Sequence, residues 1–349
     1  MRVLLTGAAG FIGAEIHRQL LGAGHEVVAV DLMLPHAHRD ATPPEGVLAL
    51  DVRDADRWQH HLDGVDVVCH QAAVVGAGVT VADLPLYAAH NDLGTAALMA
   101  AMAARGVTRL VQASSMVVYG EGRYRCAEHG ERPAPPRPRE ALQTGAFDVA
   151  CDRCGAPLTW DTVPEDAPLD PRSSYAVSKL AQELYATVWA RQAGAAAISL
   201  RYHNVYGPGM PRDTPYSGVA AMFRSALAAG QPPRVFEDGA QMRDFVHVSD
   251  VARANVLAIE ACPDRAPGSH AAYNVCSGRP VAIGEVAAAI VAGTTDAAGL
   301  APRVTGEFRI GDVRHIVASP ALAARELGFR AAVAPEDGLR DFAQAPLRD

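Results

Sequence analysis

An α/β fold built on a doubly wound parallel sheet is predicted by three observations. Short apolar runs of strand length alternate with helix-length segments through the first two hundred residues. The first run, residues 2 to 6, feeds straight into Gly7-x-x-Gly10-x-x-Gly13 and an amphipathic stretch over 11 to 23. The second run, residues 25 to 30, ends on Asp31, about 20 residues after that loop.

Each element follows in order. A glycine loop between a strand and a helix is a phosphate cradle. Its glycines let the backbone approach a pyrophosphate, and the helix start presents free N–H groups. Gly7, Gly10, Phe11, Ile12 and Gly13 are therefore candidate cofactor contacts. Asp31 would accept from an adenosine ribose and repel a 2'-phosphate, which favours NAD over NADP. Further strands are expected at 46–50, ending on Asp51-Val52, at 65–69, ending on His70-Gln71-Ala72-Ala73, and at 110–113, ending on Ser114-Ser115. Helices are expected near 54–62, 86–104 and 175–193. Ligands of such sheets lie at the C-terminal strand ends. Asp51 and Val52 would flank an adenine there, and Ala72 and Ala73 would let the cofactor pass closely. Asn91 would either hydrogen-bond the strand beside the nicotinamide or cap its helix.

The last of these helices carries Ser173-Ser174-Tyr175-Ala176-Val177-Ser178-Lys179, and Lys179 is the only lysine of the chain. Residues four apart share a helix face. The ammonium is thus expected beside the Tyr175 phenol, lowering its pKa toward that of a usable base. A lone Y-x-x-x-K also fits an ordinary solvated helix surface, so its weight comes from the other motifs.

Composition removes several classes of function. A net charge of -8 and a pI near 5.9 give no electrostatic reason to expect nucleic acid or an anionic membrane as partner. No apolar run reaches the roughly 18 residues of a membrane span, and a cytoplasmic protein is expected. Six cysteines in 349 residues are not a disulfide framework, and Cys69, Cys262 and Cys276 lie in strand-like or apolar settings expected to be core.

The glycine loop, Asp31, Asp51-Val52, Gln71-Ala72-Ala73, Asn91-Asp92-Leu93-Gly94-Thr95, Ser114-Ser115-Met116-Val117-Val118-Tyr119-Gly120, Tyr175-x-x-x-Lys179 and Arg201-Tyr202-His203-Asn204-Val205-Tyr206-Gly207-Pro208 occur in one order. In that order the chain resembles the extended short-chain dehydrogenases, specifically the NAD-dependent nucleotide-sugar epimerases and dehydratases. The resemblance implies a Rossmann-type NAD-binding domain over 1–200 and a smaller nucleotide-sugar lobe over 201–349, some of whose segments return to the first domain. By resemblance, Ser115 hydrogen-bonds the sugar 4-hydroxyl, Tyr175 is the base, and Lys179 holds the nicotinamide ribose and tunes Tyr175. Asn204, Arg243 and Arg309 would hold the diphosphate, and Asp312 would accept from the nucleotide ribose. Tyr202 and Val235-Phe236 are expected against the base, and Ile316 near the sugar C2. A homodimer is expected, and residues 330–349 read as a polar tail without evident role.

Where the family's dehydratases carry an Asp-Glu pair after the catalytic Ser/Thr, this chain has Met116-Val117. Two apolar side chains cannot do acid–base work. Inversion at C4 of a UDP- or dTDP-sugar, through a transient 4-keto sugar, is the resulting expectation. A nucleotide-sugar oxidoreductase or decarboxylase with net hydride transfer would use the same site, and a non-catalytic NAD-sensing module is the alternative from another class.

An insertion over about 121–164 departs from the resemblance, since 55 residues separate Tyr119 from Tyr175, well beyond the family's usual spacing. It holds Cys126-x-x-His129 and Cys151-x-x-Cys154, each followed by glycine. That is the ligand pattern of a closed structural zinc ribbon. Such a stretch is expected to form a flap at the site's rim or an oligomer contact, and to order only around its metal.

Overall fold

The computed structural model describes residues 1–348 apart from 36, 39, 77–79, 213–217 and 296–298. The expected alternation builds the main sheet. Its first strands are β1 (Arg2–Thr6), β2 (Glu26–Asp31), β3 (Val47–Ala49), β4 (Val67–His70) and β5 (Arg109–Ser115). The insertion then supplies β6 (Arg123–Cys126), β7 (Gly130–Arg132) and β8 (Thr159–Asp161). After the helix Ser174–Ala193 come β9 (Ala196–Tyr202), β10 (Asn204–Tyr206), β11 (Arg234–Val235), β12 (Met242–His247), β13 (Ser269–Val275), β14 (Pro280–Ala282) and β15 (Arg303–Val304).

Seven strands pair in the order β13-β9-β5-β4-β1-β2-β3, every pair parallel. Because helices cover both faces, the central strands are apolar along their length rather than alternating. On one face Ile16 and Leu20 of the helix Phe11–Gly22 meet Val251, Ala254 and Ala258 of the helix Val248–Ala261. On the other, Leu98 and Met102 of Gly94–Ala104 meet Ala186 and Trp189 of Ser174–Ala193. The chain runs from β1 outward through β2 and β3, then returns to place β4 on β1's other side. The loops after β1 and β4 therefore diverge, and a crevice opens at their ends.

The expected helix over 86–104 is a composite of Leu84–Tyr87, a π-helical stretch Ala88–Leu93 and Gly94–Ala104. Asn91 therefore lies within the helix and caps nothing. The second lobe packs around Tyr206, Phe223, Phe245, Val286 and Ile290. The presumed tail joins this core: the helix Pro335–Phe342 buries Leu339 and Phe342 there, because its apolar residues recur one turn apart. The insertion forms its own antiparallel sheet, β7-β6-β8, over a small core of Tyr124, Ala134, Val149 and Leu158.

Candidate functional site

A cleft of 1150 Å³ lies between the strand ends and the second lobe. Every cofactor and substrate residue named from the sequence lines it except Asn91, Val235 and Ile316, of which Val235 is buried in the core of the second lobe. Asn91 is fully buried behind the wall. Its carbonyl oxygen accepts from Val74 N at 2.8 Å, while Nδ2 donates to Val74 O and to Ser178 Oγ, each at 2.9 Å. It pins the chain after β4 to the helix that carries Tyr175.

At one end, Gly7 adopts φ +68, and a Cβ there would sit 2.7 Å from Ala72 N. A Cβ on Gly13 would fall 2.0 Å from Gly7 O. The turn is thus as tight as the motif requires, and the helix Phe11–Gly22 starts with no side-chain cap, so its first N–H groups face the cleft. Asp31 accepts from Ala9 N at 3.0 Å and Met33 N at 2.9 Å, with His38 Nε2 at 3.3 Å. Burial works against its charge, but His38 and these N–H groups hold its carboxyl below the usual range. Asp51 shares its carboxylate with the Arg53 guanidinium at 2.6 Å. Arg348, from the presumed tail, donates to Ala9 O at 2.6 Å and lines the cleft.

At the sheet's centre, Ser115 ends β5 and caps the following turn, accepting weakly from Val117 N at 3.4 Å. Its hydroxyl hydrogen-bonds the Tyr175 phenol, which keeps part of its surface in the cleft beside Tyr87. Lys179 is buried. Its Nζ donates to Ala113 O at 3.2 Å and stands 6.0 Å from the Tyr175 ring. Burial brings this ammonium down to about 8, with Glu183 acting the other way. Here the sequence expectation needs correction. Lys179 does not bring Tyr175 below its ordinary value: burial pushes the phenol well above it, and only the Ser115 bond opposes burial.

Behind Ser115 lies a buried ion pair invisible to motif reading. Glu183 accepts from Ser114 Oγ at 2.5 Å and from Arg201 at 2.8 and 3.0 Å, and Arg201 donates on to Tyr119 Oη and Glu165 O, both at 2.8 Å.

Toward the second lobe, Asn204 donates to Asp244 O at 3.0 Å with Met116 Sδ at 3.8 Å. Arg243 gives three of its five N–H donors to the carbonyls of Met242, Val313 and Arg314 and still lines the cleft. Arg309 covers the Phe236 ring at 5.1 Å, and Asp312 lines the same wall. Two expectations fail on geometry. Tyr202 pairs with Ser115 across the sheet and donates to Gln71 Oε1, so it belongs to the strand-end half of the cleft rather than to a base pocket. Ile316 packs among Val118, Tyr119 and Val163, away from the lining. Sequence reasoning also missed Glu237, a cleft-lining carboxylate at φ +53 with only 2% exposure. Its partners come from distant segments, and nothing local marks it.

The four insertion ligands converge. One donor atom from each of Cys126, His129, Cys151 and Cys154 lies within 4.8 Å of the others. Cys126 Sγ is 3.5 Å from His129 Nδ1 and 3.7 Å from Cys154 Sγ, and Cys151 Sγ is 3.7 Å from His129 Nδ1. A tetrahedral zinc shell with Zn–S of about 2.3 Å and Zn–N of about 2.0 Å has edges of roughly 3.5 to 3.8 Å, which these three separations match. The N–H groups of Cys154 and Arg153 lower the Cys151 thiol to about 6, toward the thiolate a metal needs.

The model of the NAD dependent epimerase/dehydratase family matches residues 3–143 and 155–276. The unmatched residues between these segments include Cys151 and Cys154. A dTDP-L-rhamnose 4-epimerase of Burkholderia thailandensis is 30% identical over 353 residues, covering 98% of this chain and 93% of the relative. The structure of MoeE5 with UDP-glucose and NAD superposes with a TM-score of 0.75 at 31% identity, covering 99% of this chain and 98% of the other. DesIV, a dTDP-glucose 4,6-dehydratase of Streptomyces venezuelae solved with NAD, gives 0.75 at 26% identity, with 99% and 96% covered. In the described helices no stretch is long and apolar enough to cross a membrane.

Proposed function

The chain belongs to the NAD dependent epimerase/dehydratase family, and on that premise we propose that it inverts C4 of a UDP- or dTDP-sugar through a transient 4-keto sugar. The observation that carries this reading is the junction of Ser115, Tyr175 and Lys179 in one cleft with Met116 and Val117 next in the chain. The site has a base and a hydroxyl donor for the 4-oxygen, whereas Met116 and Val117 offer no acid or base for elimination.

The glycine loop, Asp31 and Lys179 would hold NAD: close backbone approach at Gly7 and Gly13, uncapped N–H groups at Phe11–Gly13 and a charged carboxylate at Asp31 fit its pyrophosphate and ribose. Bound NAD supplies a reversible two-electron acceptor beside the sugar. Tyr175 takes the 4-hydroxyl proton and later returns it. Ser115 bonds the 4-oxygen and the phenol, favouring the phenolate. Because burial disfavours that phenolate, Tyr175 becomes a base only once positive charge bears on it, and the Lys179 ammonium, 6.0 Å from its ring, is the fixed cation that would supply it. Arg243 and Arg309 hold the diphosphate with forks suited to phosphate oxygens while the sugar turns between its two faces.

We also read the four-ligand cluster as a structural zinc site, since a closed shell leaves no position for substrate. The exposed apolar residues Val177, Leu184 and Val188 along the catalytic helix support the expected homodimer. The test is incubation with a panel of UDP- and dTDP-sugars, with chromatographic separation of C4 epimers. Epimer formation without a net rise at the NADH absorbance band is expected. Stoichiometric NADH release would establish the oxidoreductase reading instead, and no turnover of any sugar would sink both.

A further inference from the structure

The insertion is neither remote from the cleft nor draped over its mouth: it braces the wall from behind. Gly122 N donates to His315 O at 3.0 Å, an approach so close that a Cβ on Gly122 would sit 2.3 Å from that oxygen. Two residues on, Tyr124 donates to Glu121 Oε1 at 2.9 Å, and its Oη accepts from His315 N at 3.0 Å. Tyr124 and the ligand Cys126 share β6 and the same small apolar core. The backbone N–H of Arg314 also donates to Glu121. The backbone at 313–315 is therefore held from the insertion side. That backbone in turn aims Arg243, whose guanidinium donates to Val313 O at 2.6 Å and Arg314 O at 3.0 Å.

A second tie runs beside the first. Arg137 donates to Phe147 O at 2.9 Å inside the insertion, and to Glu237 Oε1 at 2.8 Å and Asp312 O at 2.7 Å outside it. Arg314 meets the other Glu237 oxygen at 3.0 Å, and its guanidinium also contacts Asp148 of the insertion at 2.9 Å. Glu237 is thus shared by one arginine from each side and kept in a left-handed backbone conformation that a non-glycine residue adopts at a cost. Such a conformation persists only where its surroundings over-determine it.

The insertion's own core is too small to hold its shape by apolar burial alone, and domains of that size are ordinarily fastened by a metal or disulfides. We infer that zinc at Cys126, His129, Cys151 and Cys154 sets the affinity of the cleft for the nucleoside diphosphate, by fixing the insertion whose Arg137 and Tyr124 position Asp312, Glu237 and Arg243. This rests on the nucleotide-sugar reading above and adds to it a regulated determinant of substrate affinity. NAD's end of the cleft shares none of these ties, so its affinity stays independent of the metal. Arg137 is a positioning residue: its three bonds go to protein groups.

The full-length chain is assayed for zinc by mass spectrometry, and UDP and dTDP are titrated by calorimetry into zinc-loaded, chelator-treated and zinc-restored protein, with NAD titrated in parallel. One zinc per chain is expected. Its removal should weaken the tighter-binding nucleotide roughly 10- to 100-fold, the scale of one misaligned charged hydrogen bond, with full recovery on zinc return and an unchanged NAD Kd. Arg137→Ala should keep its zinc and its NAD affinity yet weaken the same nucleotide about tenfold, as expected for a lost charged hydrogen bond. This variant decides the matter if chelation unfolds the insertion. Absence of bound zinc overturns the inference, and so does a nucleotide Kd unmoved by zinc removal or by Arg137→Ala. If zinc-loaded protein binds NAD but neither nucleotide, the nucleotide-sugar reading itself falls, an outcome distinct from equal nucleotide binding with and without zinc.

Discussion

Lys179→Met in the cofactor-free protein isolates what the buried ammonium costs the fold. Lys179 is 2% exposed, and its Nζ donates to one carbonyl, Ala113 O at 3.2 Å. Burial moves its pKa from 10.5 to about 8, despite Glu183 acting in the opposite direction. At about 1.36 kcal/mol per pKa unit, the charged form is penalised in the folded state by about 3 kcal/mol relative to the unfolded chain. The sign follows from proton counting. Between pH 8 and 10.5 the unfolded chain binds more protons at this site, so the Lys179 contribution to stability rises with pH across that window. Below pH 8 both states are protonated and the cost is present in full. Wild type and Lys179→Met are compared by urea unfolding from pH 7 to pH 10. Other groups titrate alike in both, and methionine keeps most of the side-chain volume. The difference curve should favour Lys179→Met at pH 7 and close by about 2 to 3 kcal/mol toward pH 10. Parallel curves across that range would show that the ammonium is adequately solvated or paired and would refute the reasoning. A buried lysine kept at the expense of stability is the trade expected at a functional site.

Three further outcomes follow from the same geometry. Tyr175→Phe should lower epimerisation by roughly 10²- to 10⁴-fold, the range for loss of a positioned acid–base group, while NAD still binds; turnover at the wild-type rate would remove Tyr175 from the chemistry. Gly13→Ala places a methyl 2.0 Å from Gly7 O, so the loop must open, and NAD titration should show loss of most affinity with the fold retained by circular dichroism. Glu183→Ala strands the Arg201 guanidinium in a buried site and should cost about 3–5 kcal/mol in urea unfolding, whereas Glu183→Leu with Arg201→Met should recover most of it; a single substitution within 1 kcal/mol of wild type would contradict the burial of the pair.

What the sequence determined was local. A strand, a tight glycine turn and a helix make a phosphate cradle wherever they occur together, because Gly7 and Gly13 tolerate backbone approaches that any Cβ would block. The apolar runs announced strands covered on both faces, and Tyr175 with Lys179 announced a shared helix face. The cysteine and histidine spacings likewise announced one ligand cluster, since two turns carrying two donors each can close a single shell.

Only the tertiary structure decided the rest. Helical spacing placed Lys179 near Tyr175, but burial, a property of everything packed around them, reverses the direction in which the phenol is held. Asn91 fitted either a cap or a bond to the neighbouring strand end by sequence; the structure has it tie the chain after β4 to a second segment from inside a π-helical stretch, its partners Val74 and Ser178 lying 17 and 87 residues away. Arg348 stood in a stretch with no motif and reaches the glycine loop, 339 residues distant in the chain. Glu237 and Arg137 carry no local signal at all, since their roles come from an ion-pair network that joins the insertion to the second lobe. Periodicity and spacing report contacts within a few turns of chain. The wall of this cleft is assembled from segments more than a hundred residues apart, and the balance of burial against charge exists only once they have met.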